Sequence, residues 1–312
     1  MKNYLSIKDI DVLSDWVREA RGLKSDPLRF KSLGQNKTLC LLFFNNSLRT
    51  RLSTQKAALN LGMEVMVMNF GKEGWALEYG NGTPMDQGKA EHVKEAAQVV
   101  SQYADIIAIR AFAGLEDRKK DEAEEVLNGF VQYASVPIVN MESSVGHPLQ
   151  ALADAITLAE HNTKPRPKVV LSWAPHPKAL PHAVANSFVH MMQLQEADFV
   201  ITQPKGYELN PEITKNIPLF HNQEEALQDA DFVYVKNWSS YTDYGKVIHQ
   251  NPDWMMTKDK LGKAKLMHCL PVRRNVVVED AVLDSKASLV VEQANNRTYS
   301  AQIVLKKILE SI

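Results

Sequence analysis

The chain has 312 residues, 45% of them hydrophobic and 23% charged, with a formal net charge of -1 at pH 7. That length suits about two domains, and the near-neutral balance argues against a nucleic-acid or anionic-membrane role for the chain as a whole. Two cysteines make no disulfide framework, residues 1–10 hold no apolar leader and no segment reaches membrane-span length, so a cytoplasmic location is expected.

In chain order, residues 7–23 place Ile10, Leu13, Trp16, Val17 and Ala20 at helical spacing and predict an amphipathic helix. Residues 37–44 are a continuous apolar run of strand length, in which Cys40 reads as a packed thiol. The run ends in Asn45-Asn46-Ser47, all good helix caps, and helical spacing follows until Gly62 supplies a stop. Residues 63–68 predict a second strand, 70–87 a glycine-punctuated loop holding Trp75, and 90–102 a helix. Residues 104–110 predict a third strand ending at Arg110. A charged helix over 116–132 and a fourth strand over 136–140, followed by Glu142, come next.

A long helix starts at His147-Pro148-Leu149-Gln150 and runs to about 161, before a break with two prolines at 163–167. The pattern then restarts. Strands are predicted over 168–173, 198–202, 231–235, 264–269 and 288–291, and helices over 182–193, 223–228, 257–262 and 295–312. Such alternation predicts an α/β chain of two doubly wound parallel-sheet domains joined around the helix and break.

In such sheets ligands sit off the carboxyl ends of strands. That rule selects Ser47 to Arg51, Arg110, Glu142, His147, His176, Lys236 and the stretch from His268 to Arg274. Arg49 and Arg51 stand at a helix start, where cations oppose the dipole unless an anion compensates them. The hydroxyls of Ser47 and Thr50 add donors to the same place. His161, His182, His190, His221 and His249 lack such neighbours and read as surface residues. Cys269 suits a nucleophile or a packed thiol. Apart from the adjacent His268, no ligand stands at zinc spacing from it, so no metal is expected. The dinucleotide, P-loop and nucleophile-elbow fingerprints are all absent. What remains is a site for a compact phosphorylated substrate, and no cofactor is expected.

At these residues the chain resembles the aspartate and ornithine carbamoyltransferases. Ser47-Leu48-Arg49-Thr50-Arg51, His147-Pro148-Leu149-Gln150 and His268-Cys269-Leu270-Pro271 match three family motifs in order. The resemblance implies a carbamoyl phosphate domain over 1–148, a second-substrate domain over 149–293, and a C-terminal helix, 294–312, packing back on the first. It implies that Ser47, Leu48, Arg49, Thr50, Arg110, His147, Gln150, Cys269, Leu270 and Arg297 hold carbamoyl phosphate, with Arg49, His147 and Cys269 catalytic. It also implies a homotrimer whose shared sites receive Trp75 from a neighbour.

Ornithine-reading members carry an acid where this chain has Lys236-Asn237-Trp238. A lysine there repels a free α-ammonium and attracts a carboxylate. The resemblance is therefore closest to the branch acting on N-acylornithines, with Glu142, His176, Lys236 and Arg273 implied as acceptor contacts. Acetyl-specific members carry glutamate at the position matching Ala90, and succinyl-specific ones carry proline. Ala90 adds neither bulk nor negative charge, and Lys178 and Lys236 supply cations, so a succinyl group is expected over an acetyl group.

Overall fold

The apolar run at Thr38–Phe43 becomes β1, buried from Leu39 onward because it lies between two other strands. The computed structural model describes residues 1–312. After β1 come β2 (Glu64–Asn69), β3 (Leu77–Glu78), β4 (Glu91–His92), β5 (Ile106–Arg110) and β6 (Ile138–Glu142). The second half supplies β7 (Lys168–Trp173), β8 (Asp198–Thr202), β9 (Leu219–Phe220), β10 (Phe232–Lys236) and β11 (Lys265–Met267). One sheet has the order β2-β1-β5-β6 and the other β11-β10-β7-β8-β9, while β3 and β4 form a small ladder apart. All pairs are parallel, as expected for strands separated by helices.

Register sets the functional rim. β1 places Phe43 beside Arg110, and β5 places Arg110 beside Glu142 after a register shift between Ile109 and Arg110. In the second sheet Lys236 lies beside Trp173. Arg110, Glu142 and Lys236 therefore each end a strand, on the edge where doubly wound sheets bind ligands.

The Pro148–His161 helix is buried continuously from Pro148 to Leu158. It packs on the Ala183–Met192 helix of the second half and on the Leu13–Ser25 and Val290–Leu309 helices. A helix apolar on all faces needs such enclosure. The Val290–Leu309 helix also packs along Arg49–Leu61, so the chain's end returns to the first sheet's helical layer.

Several elements differ from the sequence expectation. The helix expected over 7–23 is a 3-10 turn, Ile7–Asp9, followed by a helix at Leu13–Ser25. Asp9 accepts the Leu5 and Ser6 main-chain N–H groups at 2.6 and 2.9 Å and closes the turn as a capping box. The charged helix over 116–132 is two, Arg118–Glu122 and Glu125–Tyr133, broken at Glu124 with φ 47°. The helix expected over 90–102 begins only at Val93, because Glu91–His92 pairs with Leu77–Glu78 inside the supposed loop. A final strand over 288–291 does not form. Ser288 makes one bridge to Leu266, and the last helix already starts at Val290. His182 is also buried rather than on the surface. Its Nε2–H donates to the Ser239 carbonyl at 2.6 Å, a contact between segments that local sequence does not signal.

Gly62 ends the Arg49–Leu61 helix in the left-handed region, at φ +83°, where a Cβ would strike the Lys31 carbonyl oxygen. Gly62→Ala is expected to destabilise the chain by about 2 kcal/mol or more, from left-handed strain plus the clash. Urea unfolding measures it, and an unchanged midpoint would mean that the Lys31 segment yields at no cost.

Candidate active site

A cavity of about 450 Å³ opens where the carboxyl ends of the two sheets meet. Its lining includes the cations Arg49, Arg110, Lys236, Arg273 and Arg297 against Glu142 as the one carboxylate. A larger concavity of about 720 Å³ beside Trp254 and Lys260 collects none of the strand-end residues and has no comparable charge. The excess of cations calls for an anionic ligand.

The first-sheet wall is built around Arg110. Its Nε donates to Glu142 Oε2 at 2.9 Å, and its Nη1 to the carbonyls of Asn45 and Asn46 at 2.9 and 2.8 Å. The guanidinium also lies 4.6 Å from the Phe112 ring centroid. These contacts hold the turn between β1 and the Arg49–Leu61 helix. No acidic residue occupies that helix's first turn. Ser47 does not occupy the cap position as expected, because Leu48 is the cap residue and the helix starts at Arg49. Ser47 Oγ instead accepts the Thr50 N–H at 3.3 Å. The remaining N–H groups and Arg49 form an anion site at the cavity's edge.

Arg297 closes this wall from the far end of the chain. Its Nη2 donates to Thr50 Oγ1 at 2.6 Å and faces His147 Nε2 at 3.3 Å. A guanidinium only donates, so Nε2 is the acceptor and the His147 proton sits on Nδ1. Burial, reinforced by Arg297, Arg110 and Lys236, holds His147 neutral, well below its usual pKa. His147 Nδ1, Gln150 Oε1, Arg49 Nε and Arg297 Nε are buried without a protein partner, and all four residues line the cavity. Orphaned polar atoms of this kind mark places where a ligand completes the hydrogen bonding.

The second-sheet wall carries Lys236, His176 and Arg273. Lys236 is buried, and its Nζ donates only to the Asn237 carbonyl, at 3.2 Å, with no carboxylate beside it. Arg273 Nε donates to His176 Nε2 at 3.0 Å, which leaves His176 Nδ1–H to donate to the Lys178 carbonyl at 2.8 Å. His268 Nδ1 accepts the Leu270 N–H at 2.8 Å and shapes the loop after β11. Burial pushes the Cys269 thiol up, so the sulfur is protonated and is no nucleophile at neutral pH. Leu270 sits at φ 58°, a left-handed conformation rare for leucine, at the cavity wall.

The structure thus gathers Ser47, Arg49, Thr50, Arg110, Glu142, His147, Gln150, His176, Lys236, Cys269, Leu270, Arg273 and Arg297 around one cavity. Of the strand-end selection, Arg51, His268, Val272 and Arg274 lie outside it, as do four residues singled out through the resemblance. Leu48 points to solvent, 66% exposed. Trp75 is 56% exposed, and its Nε1 donates to Glu91 Oε2 at 2.8 Å. Ala90 is exposed on the same loop, its N–H on the Ala76 carbonyl. Lys178 reaches the site only through its main chain, at His176. Sequence reading missed the apolar lining from Phe112, Leu180, Pro181 and Val184, because apolar residues of ordinary type carry no motif.

Residues 2–160 match the aspartate/ornithine carbamoyltransferase carbamoyl-P binding domain, and residues 181–308 the Asp/Orn binding domain of the same family. The chain belongs to the aspartate/ornithine carbamoyltransferase family. It is 46% identical over 317 residues to an N-succinylornithine carbamoyltransferase of Bacteroides thetaiotaomicron, covering 100% of both. It is 33% identical to an N-acetylornithine carbamoyltransferase of Xanthomonas campestris pv. campestris, covering 98% of each. A crystal structure of acetylornithine transcarbamylase complexed with acetylcitrulline superposes with a TM-score of 0.92 at 31% identity, over 99% of both chains.

The buried histidines of this family member set its acid behaviour. Burial lowers His147, His182, His190 and His268, with His182 and His190 reaching about 4, whereas the unfolded chain titrates them near 6.5. Below pH 6.5 the unfolded state then binds more protons. Stability falls by up to about 1.4 kcal/mol per pH unit for each fully buried histidine, and by less for the half-buried His190. Asp154 and Glu124 act in the opposite sense, because burial raises both, Asp154 to about 7 from 3.8. With more histidines than carboxyls involved, unfolding free energy from urea titrations is expected to drop between pH 6.5 and 4. A flat or rising profile over that window would reverse the balance assigned to these groups.

Proposed function

We propose that the chain transfers the carbamoyl group of carbamoyl phosphate to the δ-amine of N2-succinyl-L-ornithine, giving N-succinyl-L-citrulline and phosphate, a step of arginine biosynthesis. The observation that carries the acceptor assignment is Lys236, a buried cation lining the cavity with no carboxylate beside it. It repels a free α-ammonium and suits an acceptor whose α-nitrogen is acylated and whose other groups are carboxylates. The 46% identical relative is named for succinylornithine. A glutamate-to-alanine variant of an N-acetyl-L-ornithine transcarbamylase has been crystallised with carbamyl phosphate and N-succinyl-L-norvaline. Ala90 is this chain's residue where the resemblance places a glutamate in acetyl-specific members.

In the reaction, the neutral δ-amine attacks the carbamoyl carbon, the bond from that carbon to the bridging phosphate oxygen breaks, and phosphate leaves with the electron pair and takes up the proton that the amine nitrogen releases. Arg49, Arg110 and the helix N-terminus hold the phosphate and stabilise its growing charge. Neutral His147, with its Nδ1–H free, and Arg297 donate to the carbonyl oxygen as it becomes an oxyanion. An ordinary alkyl amine has a pKa near 10.4, and the cations around the cavity favour its neutral form. Glu142 faces the attacking nitrogen, and the Cys269 thiol and Leu270 carbonyl line its path. Lys236 and Arg273 hold carboxylates of the acceptor, with His176 orienting Arg273. Carbamoylation measured colorimetrically with each acceptor tests the assignment. Succinylornithine is expected to have the higher kcat/KM. A preference for acetylornithine would overturn the acyl assignment, and no turnover with either would make the chain a silent family member.

The assembly we propose is a cytoplasmic homotrimer with sites at subunit interfaces, built from a 1–148 carbamoyl phosphate domain and a 149–293 acceptor domain. Supporting it are the solvent-exposed Trp75 on its loop and the exposed Leu48, Leu52, Leu59 and Met66 of the first half. No helix is long and apolar enough to cross a membrane. The partner subunit's Trp75 then completes each site. Arg49→Ala and Trp75→Ala are each expected to lower kcat by on the order of 10²-fold or more. Random mixing of the two leaves about one quarter of trimer interfaces with both halves intact and restores activity accordingly. No recovery despite demonstrated subunit exchange would remove Trp75 from the neighbour's site.

A further inference from the structure

Asp154 is fully buried on the Pro148–His161 helix and lies outside the cavity lining. Its Oδ1 accepts from Gln150 Nε2 and from Gln293 Nε2, both at 2.7 Å. Gln293 belongs to the last helix, and its Oε1 accepts the His268 main-chain N–H at 2.9 Å. This chain of contacts has only one polarity. The main-chain N–H of His268 can only donate, so Gln293 must turn its oxygen there and its nitrogen to Asp154. The carboxylate oxygen only accepts, so Gln150 must also turn its nitrogen to Asp154. The Gln150 oxygen is left without a protein partner, on a residue that lines the cavity.

Burial raises Asp154 to about 7, with the Gln150 and Gln293 amides opposing. The unpaired Oδ2 can carry the proton, so Oδ1 stays an acceptor in either state. Tyr234 Oη stands near enough to influence the carboxyl but makes no hydrogen bond within normal geometry. With the Asp154 proton on Oδ2 or absent, a flipped Gln150 amide would set its oxygen against Oδ1, two buried acceptors facing each other, at a cost larger than an ordinary hydrogen bond.

We infer that Asp154 is a positioning residue acting through Gln150: by accepting the Gln150 amide nitrogen it fixes Gln150 Oε1 as a hydrogen-bond acceptor in the cavity, which selects an acyl phosphate bearing an N–H group over one bearing a methyl. The inference rests on the carbamoyl phosphate reading above. It adds that the discrimination of carbamoyl from acetyl phosphate, which have the same shape, is set from outside the cavity.

The test compares dissociation constants of carbamoyl phosphate and acetyl phosphate in the full chain, by competition and thermal shift. Wild type is expected to bind carbamoyl phosphate about 10- to 100-fold more tightly, since a methyl leaves the buried acceptor unpaired. Asp154→Leu removes the acceptor and frees the Gln150 amide, and the ratio is expected to fall to within about threefold of unity. Asp154→Asn keeps an oxygen facing both amides and restores the ratio. Gln150→Leu loses the ratio too, and adding Asp154→Leu to it changes the ratio no further, as required of residues acting in series. Asp154→Ala repeats the measurement if the leucine variant does not fold.

An unchanged ratio in Asp154→Leu, or additive losses in the double variant, overturns the inference and leaves the carbamoyltransferase reading intact. Failure of both Asp154→Leu and Asp154→Ala to fold also overturns it, by making the carboxyl a requirement of the fold. Wild type binding both acyl phosphates equally overturns the inference alone. Wild type binding neither overturns the functional reading with it.

Discussion

The site depends first on the fixing of Arg110. Its guanidinium meets Glu142 on the neighbouring strand, two carbonyls of the turn after β1 and the face of Phe112. One side chain thereby ties the ends of β5 and β6 to the start of the Arg49–Leu61 helix. The cationic wall is in place before any ligand arrives, so little ordering cost is left for binding an anion. Removing either partner of this nearly buried pair would strand a charge, a loss on the order of 3–5 kcal/mol. The register shift between Ile109 and Arg110 belongs to the same device, since it brings Arg110 level with Glu142.

A second constraint comes from the last helix. Arg297 reaches Thr50 across 247 positions of sequence, and Gln293 and Asn296 of the same helix bond Asp154 and Thr157 of the buried Pro148–His161 helix. These polar contacts sit within a large apolar core shared by both halves. Gln293, Asn296 and Arg297 are tolerated there because each finds a partner on another helix, and those partners specify one alignment. His147 Nδ1 and Gln150 Oε1, which have no protein partner, belong to residues lining the cavity. The same packing that stabilises the chain therefore aims the His147 ring and selects its tautomer.

Charge divides the cavity into two ends. Near the first sheet stand the helix N–H groups, Arg49 and Arg110, and near the second Lys236 and Arg273. Glu142, the one acidic lining residue, stands between these groups, bonded to Arg110 and 3.7 Å from His147. Glu142 is thus the one negatively charged acceptor in a lining otherwise rich in cations.

Much of this was legible in the residues themselves. Apolar runs ending in Ser47, Arg110, Glu142 and Lys236 marked strand ends, because a buried parallel strand must be apolar and its carboxyl end must face a crevice. The three motifs supplied eight of the 18 cavity-lining residues, and periodicity located most helices. Other features were not written locally. The broken helix at Glu124 and the two-residue ladder at Glu91–His92 are decided by contacts outside their own segments. The burial of His182 arises from Ser239, which lies 57 residues away. Asp154 and Gln293 look like ordinary helical polar residues, and only the packing of their helices makes them a pair. Sequence by itself determined the sheet order's raw material and the chemistry at each strand end. Tertiary structure decided which orphaned atoms face one another, because hydrogen-bond polarity is settled by partners far apart in the chain.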